Sequence, residues 1–142
     1  MSETLICDTS GLLAALDRDD PDHGACVAVL ERRSGPLLVS PLVLAELDYL
    51  ARSRLGPDAA RTLADDVAAG AYDLAPLAAT DIADCVAVDR AYGDLGLGLT
   101  DASLVILAAR AGTRSLLTLD ERHFRVVRPN QGGAFHLLPT DE

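Results

Sequence analysis

The segment TLICDTSGLLAAL, residues 4–16, sets a pattern that the rest of the chain repeats. Residues 4–7 form a short apolar run of the kind found in buried strands, and residues 8–11 are of types that cap the start of a helix. An amphipathic helix through Leu16 follows. Because strands and helices alternate in this way along the chain, we expect an α/β fold with a mainly parallel sheet and helices on both faces.

The other predicted elements keep this alternation. Strands are predicted at residues 37–39, 72–74, 115–119 and 135–138. Helices are predicted at residues 12–16, 22–33, 41–55, 59–69, 79–91 and 100–110, with a glycine-rich connection at 93–98. Pro41 at a helix start and Gly112 just past a helix end are the residue types that such boundaries favour. We therefore expect about four to five strands in a single domain that spans residues 1–142.

The composition narrows the class of protein. A chain of 142 residues with 49% hydrophobic residues can bury a substantial core, which excludes disordered and fibrous classes. Its three cysteines are an odd number without CxxC spacing, which argues against a disulfide framework and a zinc site. The N-terminus lacks the pattern of a secretory signal, and no apolar run reaches membrane-spanning length. We therefore expect a cytoplasmic protein with no membrane association.

The charge distribution leaves more than one interpretation open. The formal net charge is −10, whereas a nucleic-acid partner normally requires a basic surface. All 12 basic residues are arginine, and several lie in local sets at residues 32–33, 52–54, 110–114 and 122–128. Arginine side chains can bind phosphates, or they can simply form a solvated face. An acidic protein of this kind could also bind a basic protein segment most tightly and contact nucleic acid only transiently.

Three acids follow apolar runs or begin helices. Asp8 follows the first strand, Asp101 lies at the start of the helix at residues 100–110, and Asp120 follows the strand at residues 115–119. Carboxylates at the ends of parallel strands can converge at one edge of a sheet while lying far apart in sequence. Converging carboxylates repel one another and bind hard cations such as Mg²⁺ or Mn²⁺. Such a site suits cleavage of a phosphodiester.

Each of these three acids also has an ordinary structural explanation, because a carboxylate at the start of a helix caps free N–H groups. Glu46, within the predicted helix 41–55, is harder to explain in that way. Its neighbours three or four residues along the helix are apolar: Leu42, Val43 and Leu50. We therefore expect Glu46 to interrupt an apolar stripe, where burial without a partner would cost on the order of several kcal/mol. This position predicts a metal ion, or an arginine from elsewhere in the fold.

Four motifs together make the chain similar to a known family. They are DTS after the first strand, the acid in SPLVLAELDYL, LGLTDASLVILAAR and LLTLDERHF. In this order and spacing, over residues 6–124, the chain resembles a PIN-domain ribonuclease of the bacterial VapC toxin type. The resemblance implies a PIN-like three-layer sandwich.

The same resemblance implies an acidic quartet that acts in catalysis and metal binding: Asp8, Glu46, Asp101 and Asp120. It assigns supporting positions close to the quartet to Ser10 and Thr100, with Ser103 as a further pocket residue. Asp94 matches an acid that some members carry, although a loop or capping role suits it better.

The resemblance further implies a Mg²⁺-dependent endoribonuclease, with Mn²⁺ able to substitute, that cuts a tRNA or rRNA loop and so inhibits translation. Its partners would be an RNA substrate, a second copy of the chain in a homodimer, and a cognate antitoxin protein. The apolar residues 42–55 and 63–67 would offer the antitoxin a docking groove for an amphipathic helix.

Other classes of function have to be weighed against this one. Receiver domains and haloacid-dehalogenase-like phosphatases share the α/β layout, but they use a lysine near the phosphoryl group and this chain has none. His23 and His123 have no matched nucleophile, so we assign them no catalytic role. Two alternatives stay open: a PIN-fold scaffold that binds RNA or protein without cutting, and a housekeeping RNA-processing nuclease.

Overall fold

A five-stranded parallel sheet lies at the centre of the molecule. The structure is a computed structural model that describes residues 3–142. In chain order the strands are β1 (Leu5–Cys7), β2 (Leu37–Val39), β3 (Asp73–Leu74), β4 (Ser115–Leu117) and β5 (His136–Leu138). Across the sheet their order is β3-β2-β1-β4-β5. From β1 the chain first adds β2 and β3 on one side and then β4 and β5 on the other. A topological switch point therefore lies between β1 and β4.

Helices connect the strands throughout the described part of the chain. They are α1 (Thr9–Leu16), α2 (His23–Arg32), α3 (Pro41–Leu55), α4 (Pro57–Ala68), α5 (Ala79–Ala91), α6 (Gly98–Ala111) and α7 (Glu121–Phe124), with a 3₁₀ turn at Gly93–Leu95. α1 packs against α2 and α3, α3 packs against α4, and α5 packs against α6. Right-handed crossovers that leave a switch point in opposite directions place their helices on opposite faces of the sheet. The predicted α/β architecture is confirmed.

The two central strands are buried on both faces. Leu5, Ile6 and Cys7 in β1 have no exposed surface, and neither do Leu116 and Leu117 in β4. This double burial explains why both strands read as continuous apolar runs and not as an alternating pattern. At the sheet edge, β3 is exposed and starts one residue later than predicted. Within residues 3–142, no helix combines the length and the apolar character that crossing a membrane requires.

α1 begins at Thr9 and not at the predicted Leu12, with Asp8 as its N-cap, and two other boundaries near the carboxyl edge of the sheet also differ from the predicted ones. α6 begins at Gly98, before the predicted start; Gly98 has a left-handed φ of 81°, which glycine tolerates, and its N–H donates to Asp89 Oδ1 at 2.9 Å. β4 ends at Leu117, and the N–H of Leu119 donates to Ser10 Oγ at 2.9 Å instead of extending the strand. Hydrogen bonds to side chains therefore set both boundaries, which local propensity does not reveal.

Gly11 allows α1 to approach the end of β4 closely. A β-carbon at this position would lie 2.6 Å from Leu117 Cγ and 3.0 Å from the Leu117 carbonyl oxygen, which is too close for an ordinary contact. Nearby, the N–H of Asp8 donates to the same carbonyl oxygen at 2.9 Å. The start of α1 is thereby held against the end of β4, and side chains from these two distant segments meet.

Candidate active site

An open cleft of about 480 Å³ lies at the carboxyl ends of β1 and β4, with α3 and α6 on its sides. It is lined by all the site residues predicted for the acidic quartet and its two supporting positions: Asp8, Ser10, Glu46, Thr100, Asp101 and Asp120. The rest of its wall is formed by Thr9, Asp20, Arg54 and Gly98, and by leucines that make up its apolar part: Leu13, Leu50, Leu97, Leu99 and Leu119. The edge of the sheet therefore brings together acids that are spread over residues 8–120.

Asp8 is deeply buried, with 3% of its surface exposed. Its Oδ2 accepts hydrogen bonds from Thr118 Oγ1 at 2.7 Å and from Ser10 Oγ at 3.3 Å. Its Oδ1 accepts the main-chain N–H of Thr9 at 2.7 Å, so the side chain also caps α1. All three donors are neutral, and they hold the carboxylate in place without cancelling its charge.

Asp101 and Asp120 meet at a third side chain, His123. The imidazole Nδ1 lies 2.5 Å from Asp101 Oδ2 and 3.1 Å from Asp120 Oδ2. Asp120 also caps α7, because its Oδ1 accepts the main-chain N–H of His123 at 3.1 Å. One potential ligand atom from each of the three residues lies within 4.8 Å of the other two, which is close enough for a shared metal ion.

The pKa values of two acids reflect this crowding. Burial, together with the charge of Asp101, raises the pKa of Asp8 to about 7 in spite of its hydrogen bonds. Burial also raises the pKa of Asp101, and the charges of Asp120 and Glu46 add to that effect, while the contact with His123 opposes it. The acids therefore destabilise one another's charged forms, and a bound cation would relieve this repulsion.

Glu46 lines the cleft from α3, but the reason for its position differs from the predicted one. Its side chain is exposed and does not interrupt a buried stripe. The buried face of α3 consists of Val43, Leu47 and Ala51. Glu46 is rotated roughly 100° around the helix from Leu47, which turns it toward solvent at the cleft. The predicted penalty for burying an unpaired carboxylate does not arise, because the predicted burial of Glu46 was wrong.

The remaining candidates divide by position. Ser10 and Thr100 line the cleft, as predicted. Ser103 is fully buried and contacts Ser40 Oγ at 2.8 Å and the Thr100 carbonyl oxygen at 2.6 Å, so it is a structural residue and not part of the pocket wall. Asp94 lies in the 3₁₀ turn beside a separate surface depression, which agrees with a loop role.

Four residues at the site had been assigned no role individually: Asp20, Arg54, Thr118 and His123. Thr118 is fully buried, and its hydroxyl donates to Asp8 while accepting the main-chain N–H of Asp120 at 3.0 Å. Its signal in the sequence was a polar residue inside the apolar run SLLTL. Arg54 lies eight residues after Glu46, on the same face of α3, and it is the one cation among the described residues that line the cleft.

The chemistry of the cleft fits a hard divalent cation. Carboxylate oxygens are the ligands that Mg²⁺ and Mn²⁺ prefer, and five carboxylates line this one cleft: the predicted quartet and Asp20. Within residues 3–142, no arginine forms an ion pair with any of these five acids. The hydroxyl of Thr9, on the cleft wall, is buried without a hydrogen-bond partner in the same part of the chain. The protein thus leaves both the negative charge and a polar group unmatched at this site.

The chain is similar to known proteins over almost its whole length. Residues 5–129 match the family model of the PIN domain. Ribonuclease VapC26 of Mycobacterium tuberculosis is 43% identical over 135 residues, which cover 95% of this chain and 100% of that protein. These two matches cover every segment that carries a cleft acid.

Two solved structures share the fold. VapC20 of Mycobacterium tuberculosis, described as a sarcin-ricin loop cleaving toxin, aligns with a TM-score of 0.77 at 19% identity, over 82% of this chain and 89% of that chain. VapBC2 from Rickettsia felis, bound to a DNA fragment from its promoter, aligns with a TM-score of 0.63 at 16% identity, over 87% and 92%. At such low identity these matches show the fold alone, and they confirm the PIN-like prediction.

The sequence match and the fold agree with the four motifs that suggested the family. PIN-domain nucleases generally use a divalent metal ion, which accords with the unmatched acids of the cleft. The chain therefore belongs to the PIN-domain family and, within it, to the VapC ribonucleases, the toxins of bacterial toxin–antitoxin systems.

Proposed function

We propose that this protein is a Mg²⁺-dependent endoribonuclease that cuts a loop of structured RNA and so inhibits translation, with Mn²⁺ able to replace Mg²⁺. The observation that carries the proposal is the convergence of four acids on one cleft: Asp8, Glu46, Asp101 and Asp120. VapC20 has the same fold and is described as a toxin that cleaves the sarcin-ricin loop, which supports a tRNA or rRNA loop as the class of substrate.

Asp8 and Asp101 would hold the principal metal ion, with Glu46 and Asp120 completing the pocket directly or through water. Such an ion supplies a Lewis acid that promotes ionisation of water and stabilises charge on the phosphate. The contribution of the chain is to hold the carboxylates in position. Thr118 does this for two of them, because its one hydroxyl binds the Asp8 side chain and the main chain of Asp120.

Arg54 would bind a phosphate of the RNA next to the scissile one. Its side chain is exposed at the cleft and has no hydrogen-bond or ion-pair partner within residues 3–142. Its helix neighbour Arg52, in contrast, is paired with Asp48 at 3.0 Å. A guanidinium binds phosphate oxygens through paired N–H donors, and its charge would offset the repulsion between RNA and an acidic cleft.

An apolar depression of about 310 Å³ between α1, α3 and α4 would receive a helix of a cognate antitoxin. Its wall includes Leu16, Leu44, Leu47 and Leu63, which largely coincide with the segments expected from sequence to form a docking groove. VapBC2, a complex of VapB and VapC by its name, supports a partner of this class. A homodimer is part of the same proposal.

Cleavage of RNA by the purified full-length chain tests this function. Asp8→Asn and Asp101→Asn should each lower the Mg²⁺-dependent cleavage rate on the order of 100-fold or more. Both should melt at or above the wild-type temperature without metal, because each removes one charge from a crowded pocket. Asp94→Asn is the matched control, since Asp94 lies outside the cleft, and it should cut at the wild-type rate.

Three results would redirect the proposal. Wild-type cleavage by either cleft variant would show that the quartet is misassigned. RNA binding without cleavage by the wild type would favour a non-catalytic scaffold. Cleavage that leaves translation and growth unaffected when the protein is expressed would favour a housekeeping RNA-processing nuclease.

A further inference from the structure

His123 contacts two of the four acids from behind the cleft. The residue is 6% exposed, and it is not among the described residues that line the cleft. Its ring contacts Asp101 and Asp120 through one nitrogen atom, Nδ1, and its main-chain N–H holds the other oxygen of Asp120. The imidazole therefore lies where it can set the orientation of both carboxylates.

The contact made by the second ring nitrogen, Nε2, determines which of the two nitrogens carries the proton. Arg122 Nη2 lies 2.9 Å from His123 Nε2. A guanidinium has N–H donors and no acceptor, so Nε2 has to offer its lone pair to this contact. The proton of the neutral ring is then on Nδ1, where it donates to the carboxylates. The two sides of the ring thus independently require the same tautomer.

We infer that His123 is a positioning residue, which holds Asp101 and Asp120 through Nδ1–H and whose tautomer is selected by Arg122. A protonated Nδ1 has no lone pair for a metal ion, although its distance from the two acids would suit a shared ligand set. Since Nε2 faces Arg122, neither nitrogen is available as a base toward the cleft. The inference rests on the proposed function, because aligning these acids matters for catalysis only if they bind the metal ion.

This role has a measurable consequence for substitutions. Residues that orient metal-binding side chains typically affect metal affinity or activity by about 10–100-fold. In His123→Asn the amide NH₂ lies near the position of Nδ1 and keeps a donor for the acids. In His123→Gln the amide extends toward the position of Nε2, and in His123→Ala the donor is lost. A purely space-filling role would not favour asparagine over the larger glutamine.

Nitrogen NMR of the wild-type protein tests the tautomer without relying on activity. The chain has only three histidines, so ¹⁵N-histidine labelling gives few signals, which His23→Gln and His136→Gln would assign. His23 is an internal reference, because its Nδ1 faces the Ala14 carbonyl oxygen at 2.9 Å and has to donate there. His136 is exposed and gives the signal of a solvated ring. Spectra would be recorded at about pH 8, where an ordinary imidazole is neutral, with and without Mg²⁺.

We expect the nitrogen signals of His123 to be those of a protonated Nδ1 and an unprotonated Nε2. Adding Mg²⁺ should leave each nitrogen in the same protonation state. Arg122→Ala should weaken this preference for one tautomer. An unprotonated Nδ1, two protonated nitrogens, or an Nδ1 signal that moves to a metal-bound position would overturn the inference.

Cleavage assays then separate this inference from the proposed function. The kcat of His123→Ala and His123→Gln should fall by about 10–100-fold, and His123→Asn should recover part of the loss. Equal rates in all three variants, or a better rate with glutamine than with asparagine, would contradict positioning through Nδ1–H. An inactive wild type would reject the proposed nuclease, while the NMR result would still decide the tautomer.

Discussion

Asp8, the most deeply buried acid of the cleft, is held by neutral donors that leave its negative charge uncancelled. Thr118 shows this most clearly, since its hydroxyl donates to Asp8 and accepts the N–H of Asp120. A lysine or arginine in the same place would have stabilised the empty pocket and competed with the metal ion. At the scale of single residues, the crowded acids therefore cost the metal-free protein some stability, which is what a site built for a cation requires.

Glu46→Gln should abolish most cleavage while changing the free energy of unfolding by less than about 0.5 kcal/mol. The small change follows from the exposure of Glu46, because surface substitutions are usually of this size. Urea unfolding without metal and the RNA cleavage assay measure the two effects. Asp48→Asn, two residues along α3, is the control and should retain activity. A loss of roughly 3–5 kcal/mol in Glu46→Gln would instead indicate a structural ion pair.

Arg54→Gln should raise KM for RNA and leave kcat almost unchanged, because a phosphate contact beside the scissile bond contributes mainly to binding. It should also lower by about one the slope of log affinity against log salt concentration. Arg52→Gln on the same helix is the matched control, since Arg52 is already paired with Asp48. If both variants behave alike, general surface charge and not a cleft contact determines RNA binding.

At the scale of elements, the packing of α1 on β4 determines whether the cleft forms. Gly11→Ala should destabilise the fold by roughly 1–3 kcal/mol, because the added β-carbon meets both the side chain and the main chain of Leu117. Cleavage should fall as well, since the shift moves Asp8 and Ser10 relative to Thr118. Denaturant unfolding and the cleavage assay measure these losses.

Gly24→Ala is the control for this prediction. Gly24 lies in α2, and a β-carbon there meets nothing within 4 Å. The change should be neutral or stabilise the protein by up to about 1 kcal/mol, with full activity. Equal destabilisation by the two variants would mean that close packing at Gly11 is not what positions α1.

At the scale of the whole molecule, metal binding should appear as added stability. A ligand that binds only the folded state, at about 100 times its dissociation constant, contributes about 2.7 kcal/mol. For a chain of this size we expect Mg²⁺ or Mn²⁺ to raise the melting temperature by roughly 6–10 °C. Thermal melts of wild type and Asp8→Asn at constant ionic strength measure it. An equal rise in both proteins would place the metal elsewhere on a surface whose net charge is −10.

The sequence by itself determined the order and type of the elements and most of the acids that line the cleft. Buried parallel strands appear as short apolar runs, and acids that follow such runs are bound to lie at one edge of the sheet. Asp8 and Asp120 could therefore be selected from local patterns, and Asp101 could be selected as an acid at the start of an apolar helix. The same patterns also explained them as helix caps, and Asp8 and Asp120 each cap a helix while lining the cleft.

Only the tertiary structure decided which side chains meet. Whether Glu46 is buried depends on the rotation of α3 against its neighbours, and a count of apolar residues three or four positions away does not determine that rotation. The contact of His123 with Asp101 spans 22 residues, and that of Thr118 with Asp8 spans 110. Such contacts arise from the approach of α1 to β4 and of α7 to α6, so their partners become visible only once the helices and strands have packed.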